Sequence, residues 1–203
     1  MFDKVKSYYI KFILTGIALL TFSAAFRSFY QDKKWSIAHQ ANHFEEELNK
    51  ADERLLKEIE HYYSIIDTSN LEALLNKGVR YHKRLEEESF GVYIYSDNNL
   101  KFWSTNKLVV PIDLHKGIIE EQNGFYIQQY KKKNELTVVA RFFIKKHYDF
   151  ENSYVQNSFN QKLYLKKNWL LSKSPLENGI EIKVKSSGEK IYLKPSELFT
   201  KST

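Results

Sequence analysis

The chain has 203 residues, of which 42% are hydrophobic and 28% are charged, and its formal net charge is +6. That hydrophobic content is sufficient for a core and excludes a globally disordered protein. The lack of cysteine excludes disulfide frameworks, thiolate zinc sites and cysteine nucleophiles. Acidic and basic residues are interspersed and no nucleic-acid-binding motif is found, so we expect no nucleic acid partner.

The first predicted element is the uncharged, mostly apolar run from Phe12 to Phe26. We expect an uncleaved transmembrane signal anchor at residues 12–30, although a spanning helix needs about 20 apolar residues. Residues 1–11 would then be the cytoplasmic N-terminus of a protein in the bacterial inner membrane, with its main domain in the periplasm. The alternatives are a cleaved signal peptide, because Ser23 and Ala25 resemble a cleavage site, and a buried core helix.

The second predicted element is a helical segment over residues 35–88. Its first part is a long amphipathic helix to about Ile66, and a shorter helix from Leu71 to about Glu88 follows, with Ser69 as its N-cap. The apolar residues of the long helix recur every 3.5 positions, which is typical of a heptad seam. That seam either packs on its own domain or pairs with a second chain, and it is the predicted dimer interface. It consists of Phe44, Leu48, Ala51, Leu55, Ile59, Tyr62 and Ile66.

The remaining pattern predicts an antiparallel β-domain at residues 89–195, followed by a tail at 196–203. Runs rich in β-branched and aromatic residues alternate with turn signals and indicate three hairpins. The pattern is poor between His147 and Trp169, which we interpret as a loop with a short helix. The predicted fold class is therefore α+β, with the helices first and the sheet after them. The predicted strands are 91–96 with 100–104, 124–130 with 136–144, and 180–184 with 190–193.

Candidate chemistry is sparse. His39, His43 and Glu47 share one helix face and have the spacing of metal ligands, but a solvated helix face is the simpler interpretation. No arrangement of nucleophile, base and oxyanion donor is found, so we predict no catalytic residue, no metal and no cofactor. Large or polar groups on the predicted strands are candidate ligand-binding residues, with ordinary packing as the alternative. They are Tyr93, Tyr95, Trp103, Tyr126 and Arg141.

Three segments carry a resemblance to a known family, namely Tyr93–Ser104, Gly124–Tyr126 and Phe143–Asn160. In these segments and in the order of its elements, the chain resembles the sensor region of Bacteroidetes-type membrane sensor histidine kinases. The resemblance implies a PAS-like or Cache-like domain that acts as a homodimer. It would pass a small-molecule or peptide stimulus through a dimeric helix across the membrane. The phosphoacceptor and ATP-binding boxes are not among these residues, so the chain would be non-catalytic.

The resemblance also implies that a kinase core follows Thr203, or that the domain is held by a single anchor. A response regulator is an expected partner only if such a core follows. Two other functions stay open from the sequence. One is a bitopic envelope scaffold that assembles through its coiled-coil seam, and the other is an anchored envelope enzyme of unknown chemistry.

Overall fold

The computed structural model describes residues 2–68, 79–111, 113–148, 150–152, 156–165 and 168–196. The chain divides into two compact units, Met1–His39 and Gln40–Thr203, which are described separately. The predicted start of the second helix, from Ser69 to residue 78, lies outside the described residues. Its later part is present as a short helix, Val79–Glu87, which we call α2.

Helix α1 spans Phe2–Thr68. The sequence in this range has no proline and a single glycine, Gly16, so nothing in it interrupts the backbone hydrogen bonds of a helix. Among the described side chains of the first unit, several large apolar ones on α1 are exposed. They are Leu14, Ile17, Leu19, Leu20, Phe22 and Phe26.

The predicted transmembrane anchor at residues 12–30 is wrong. Among the described residues, no helix combines the length and the apolar character needed to cross a membrane. The physical reason is that the uncharged run is too short, because extending it at either end brings in Lys11 or Arg27. The predicted single-pass placement in a bacterial inner membrane, with a periplasmic main domain, falls with it.

The heptad seam of α1 packs on the chain's own sheet. Phe44, Leu48, Leu55, Ile59 and Tyr62 are all 2% exposed or less, and Ala51 is also buried. Ile66, the last seam residue, is half-buried. Of the two arrangements that the sequence left open, the structure has the intramolecular one. The structure places these side chains in the core of a single chain, and the predicted pairing of the seam with a second chain stays a prediction.

The main sheet is antiparallel, with five strands in the order β2-β1-β5-β4-β3. Two predicted hairpins are confirmed as β1 with β2 and as β4 with β5, and the central pairing of β1 with β5 joins them. The β3 strand was not predicted, because its GIIEE sequence lacks a clear alternation. The strands are β1 Phe90–Ser96, β2 Asn99–Trp103, β3 Gly117–Glu121, β4 Gly124–Lys133 and β5 Leu136–Lys146.

A second, smaller antiparallel sheet has the order β6-β8-β7. The predicted third hairpin is confirmed as β7, Ile180–Lys183, with β8, Lys190–Pro195, and β6, Trp169–Ser172, adds a strand that was not predicted. Asn49 of α1 binds this hairpin: its Nδ2 donates to the Lys183 carbonyl at 3.0 Å, and its Oδ1 accepts from the Lys185 amide at 2.8 Å.

The two faces of the main sheet have different neighbours. The side chains of β1 and β5 alternate between the two faces of the sheet. Those that lie towards α1 include Phe90, Val92 and Ile94 of β1 and Phe142 of β5. The guanidinium of Arg54, on α1, lies 4.6 Å from the centre of the Phe90 ring. The other face therefore carries the intervening residues, which include most of the predicted ligand-binding side chains.

Helix α1 should be the main source of stability of the second unit. Leu55→Ala removes a fully buried side chain and should lower the free energy of unfolding by about 2 to 5 kcal/mol. The neighbouring Leu56 is 42% exposed, so Leu56→Ala should cost about 0.5 kcal/mol or less. Urea denaturation of both variants measures the difference, and equal losses would contradict the packing of the seam on the sheet.

Stability should also fall in mild acid because of His82. This side chain lies 5.0 Å from the Phe102 ring centre, and burial lowers its pKa below the usual 6.5. The unfolded chain therefore binds the proton more readily, and the contribution of His82 to stability is lost as the pH falls below about 6.5. Urea denaturation at about pH 7.5 and about pH 5.5 should show a smaller acid loss for His82→Gln than for the unmodified chain. The matching change at the exposed His147, His147→Gln, should not reduce the loss.

Candidate ligand-binding site

The face of the main sheet that points away from α1 is covered by the connection from β2 to β3. This segment spans residues 104–116, and we call it the strap. Its described residues, which exclude position 112, form no helix or strand. Backbone carbonyls in such a segment need other hydrogen-bond partners when they are buried. The partners come from the sheet beneath.

Side chains of β1 and β4 hold the strap by its carbonyl oxygens. The Tyr93 hydroxyl donates to Leu108 at 3.0 Å, and the Tyr95 hydroxyl donates to Pro111 at 3.0 Å. Gln128 Nε2 donates to the carbonyls of Asp113 at 3.0 Å and His115 at 2.8 Å. Burial raises the pKa of both tyrosines, so the phenols stay protonated and remain donors at neutral pH.

Arg141 lies at the centre of this face and is fully buried. Its Nη2 lies 2.7 Å from Oε1 of Glu121, and its Nη1 lies 3.2 Å from Oε2. Its Nε donates to Gln128 at 2.5 Å, and Nη1 also donates to the Val109 carbonyl of the strap at 3.1 Å. A buried guanidinium is tolerated only when it is paired in this way. The cluster therefore ties β5, β4, β3 and the strap together.

Two openings adjoin this face. The first, which we call the Phe143 cavity, has a volume of about 330 Å³ and lies between the end of α2, the start of the strap and the residues that follow β5. Its aromatic walls are Phe90, Tyr126, Phe143, Tyr148 and Phe159. The second is an open cleft of about 460 Å³ beside Glu121. The ionisable side chains in its walls include Asp113, His115, Glu120, Glu121, Arg141 and Lys173.

The charged groups of the cleft are largely engaged by the protein itself. Lys173 Nζ donates to the Ile118 carbonyl at 2.9 Å, and His115 Nε2 lies 3.0 Å from Oε1 of Glu189. Arg141 is paired with Glu121, as described above. The Phe143 cavity is more enclosed and more aromatic, and its size falls within the range of small-molecule sites. It is the better candidate for binding a ligand.

The walls of the Phe143 cavity are fixed by local hydrogen bonds. Asn160 is buried, its Nδ2 donates to the Phe143 carbonyl at 2.8 Å, and its Oδ1 accepts from the Lys162 amide at 3.1 Å. Tyr126 packs on Phe143 with ring centres 6.1 Å apart, and burial raises the pKa of Tyr126 to about 12. The Tyr126 phenol is therefore a neutral hydrogen-bonding group at physiological pH.

One glycine makes this arrangement possible at the start of β4. Gly124 has a φ of +147°, and a Cβ atom there would collide with the carbonyl oxygen of Lys145. The pairing of β4 with β5 shifts register directly afterwards, between Phe125 and Tyr126. The bulge directs Tyr126 onto the same face as Phe143, its cross-strand partner.

The predicted ligand-binding residues share one face, where the Arg141 guanidinium lies 5.4 Å from the centre of the Tyr126 ring, but their other partners differ. Tyr93 and Tyr95 bind the strap, and Arg141 binds both the strap and Glu121, whereas Tyr126 lines the Phe143 cavity. Trp103 lies opposite Tyr93 on β2, is 49% exposed and donates its Nε1 to Asn106 at 2.6 Å.

Several cavity residues were not predicted, including Phe143, Phe159 and Asn160. The sequence signal that could have found them is the particular Phe143–Asn160 segment, which contains all three. The metal site that the spacing of His39, His43 and Glu47 offered as the less simple interpretation gains no support. Across the described ranges, no group of three or more potential ligands is placed to hold a metal ion.

The Arg141 pair should have a large effect on stability. Glu121→Ala leaves a fully buried guanidinium without its carboxylate, and we expect a loss of about 3 kcal/mol in the free energy of unfolding. The exposed pair of Lys131 with Glu60 serves as the control, because Glu60→Ala should cost less than about 1 kcal/mol. Denaturant titration of both variants provides the measurement, and a loss at Glu121 as small as that at Glu60 would refute the structural role of the buried pair.

Comparison with known proteins adds no assignment: no protein-family model matches the chain, and no curated protein or solved structure shows a significant match.

Proposed function

We propose that the unit Gln40–Thr203 is a non-catalytic, small-molecule-sensing domain of the PAS-like or Cache-like class, with the Phe143 cavity as its ligand site. The observation that carries this proposal is a direct contact between the cavity and α1. The Phe159 ring lines the cavity and packs edge-on against Phe44 of the α1 seam, with ring centres 6.0 Å apart. A ligand that moved Phe159 would therefore change the packing of the helix.

A second route leads from the cavity to α1 through charged groups. Lys162 lines the cavity, and its Nζ lies 3.8 Å from Oε1 of Glu88. Glu88 in turn pairs through Oε2 with Arg54 of α1. The two routes reach α1 at different turns, Phe44 and Arg54. Sensing requires that the ligand favour one of two states of the protein, and contacts of this kind are where those states would differ.

The architecture is compatible with this class of domain. The order β2-β1-β5-β4-β3 places β5 in the middle, and β5 carries Phe142 towards α1 and Arg141 towards the strap. One face thus packs on a helix while the other is covered by a segment held through hydrogen bonds. The earlier resemblance to sensor regions of histidine kinases supports the same proposal, in which a kinase core would be the output partner.

Neither alternative function gains comparable support. The scaffold hypothesis depended on a free coiled-coil seam, and Leu48, Leu55 and Ile59 of that seam are buried in the chain's own core. An enzymatic function needs a nucleophile or an acid and base in the site. The described walls of the Phe143 cavity include hydroxyl groups and the carboxylates of Glu86 and Glu87. Glu86 is already bound by Lys107 and by the Thr105 hydroxyl, so these groups do not by themselves favour catalysis over binding.

Fragment screening by NMR tests the proposal. A library of neutral, anionic and cationic fragments should yield at least one compound that binds saturably and shifts the amide signals of residues 105–108 and 158–162. Ser158→Phe, which fills the cavity from a half-buried position, should weaken that binding at least about tenfold. Ser174→Phe, at an exposed position away from the cavity, should leave it unchanged.

Hydrogen exchange separates sensing from simple binding. The bound fragment should change the exchange of α1 amides in residues 40–66 as well as those of the cavity walls, because Phe159 and Lys162 connect the two. Binding without any change in α1 would argue against a sensor, and no saturable binding at the cavity would rule out the ligand site itself.

A further inference from the structure

The walls of the Phe143 cavity suggest the chemical class of its ligand. We infer that the cavity takes a small aromatic molecule that carries one anionic group, with its ring between the aromatic walls and its anion towards Lys146. This inference rests on the proposed function of the cavity and goes beyond it by naming what binds there.

The aromatic half of the inference comes from the buried walls. Phe90, Tyr126, Phe143 and Phe159 are each 7% exposed or less, and they meet at the cavity from β1, β4, β5 and the segment after β5. Rings that converge from separate elements leave flat surfaces, and a flat ligand can stack or pack edge-on against them. The cavity volume of about 330 Å³ limits the ligand to a compact molecule.

The anionic half comes from the charges at the rim. Lys107, Lys146 and Lys162 line the cavity, as do Glu86 and Glu87, so ammonium groups outnumber carboxylates. Glu86 is already bound, because its Oε1 lies 2.8 Å from Lys107 Nζ and its Oε2 accepts from the Thr105 hydroxyl at 2.8 Å.

Lys146 is the cation best placed to meet a ligand. Its Nζ lies 5.8 Å from the centre of the Phe143 ring, over the aromatic wall of the cavity. An ammonium group above this ring lies within reach of a ligand that packs against the same aromatic wall. A carboxylate or phosphate on that ligand would form a charge-assisted hydrogen bond with it.

A charge series on one ring tests the inference. The probes are benzoate, benzamide and benzamidine, which share a ring and differ in charge, with acetate as an anion without a ring. Benzoate should bind with a Kd of about 1 mM or lower, as expected of a fragment. It should bind about fivefold more tightly than benzamide, and benzamidine and acetate should bind most weakly. Phenyl phosphate distinguishes the kind of anion. If phenyl phosphate binds more tightly than benzoate, the ligand carries a phosphate, and if it binds more weakly, the ligand carries a carboxylate.

Lysine variants locate the anion. Lys146→Gln should weaken benzoate about fivefold and leave benzamide unchanged, because only the charged partner is lost. Lys185→Gln, at an exposed position in the turn between β7 and β8, should change neither. Raising the ionic strength from about 0.01 M to about 0.15 M should weaken benzoate and spare benzamide.

The outcomes separate this inference from the proposed function. Equal binding of the three ring compounds, or tightest binding of benzamidine, overturns the anionic ligand. A second outcome is that none of the three ring compounds binds, but another fragment binds and Ser158→Phe abolishes its binding. In that case the aromatic anion is wrong and the ligand site stands. If no fragment binds at the cavity at all, both proposals fail.

Discussion

The packing of α1 on one face of the main sheet is the interaction on which the rest of the structure depends. It buries a row of apolar side chains spaced every three or four residues, from Phe44 to Tyr62. An amphipathic helix of this kind gains most of its stability from such burial rather than from intrinsic propensity. Because α1 packs on one face of the sheet, the strap and the Arg141 cluster lie on the opposite face.

That opposite face shows how buried polarity can position a site. The sheet supplies hydrogen-bond donors to the described carbonyls of the strap from Tyr93, Tyr95, Gln128 and Arg141. Each of these donors would be costly to bury without a partner. The result is a covered sheet face with openings beside the strap and beside the segment after β5. The contact of Phe159 with Phe44 connects one of these openings to the other side of the sheet.

Much of the fold could be predicted because its signals are local. In the hairpins around residues 97–98 and 134–135, the turns lie between runs rich in β-branched and aromatic residues. The turn residues that adopt positive φ are Asp97, Asn98 and Asn134. Strands β3 and β6 were missed because they are short and lack alternation, and they acquire strand geometry by pairing with β4 and β8. The membrane anchor was predicted from a short apolar run whose charged flanks weaken it.

The sequence by itself determined the α+β class, the order of helices before strands and the apolar periodicity of α1, since these depend on neighbours within a few residues. It also placed Tyr93, Tyr126 and Arg141 on strands. Only the tertiary structure decided that the seam of α1 packs within the chain, because a 3.5-residue period does not specify what covers it. It also decided that Tyr126 lines a cavity while Arg141 pairs with Glu121, because the partners of Arg141 lie 20 positions away at Glu121 and 32 positions away at Val109.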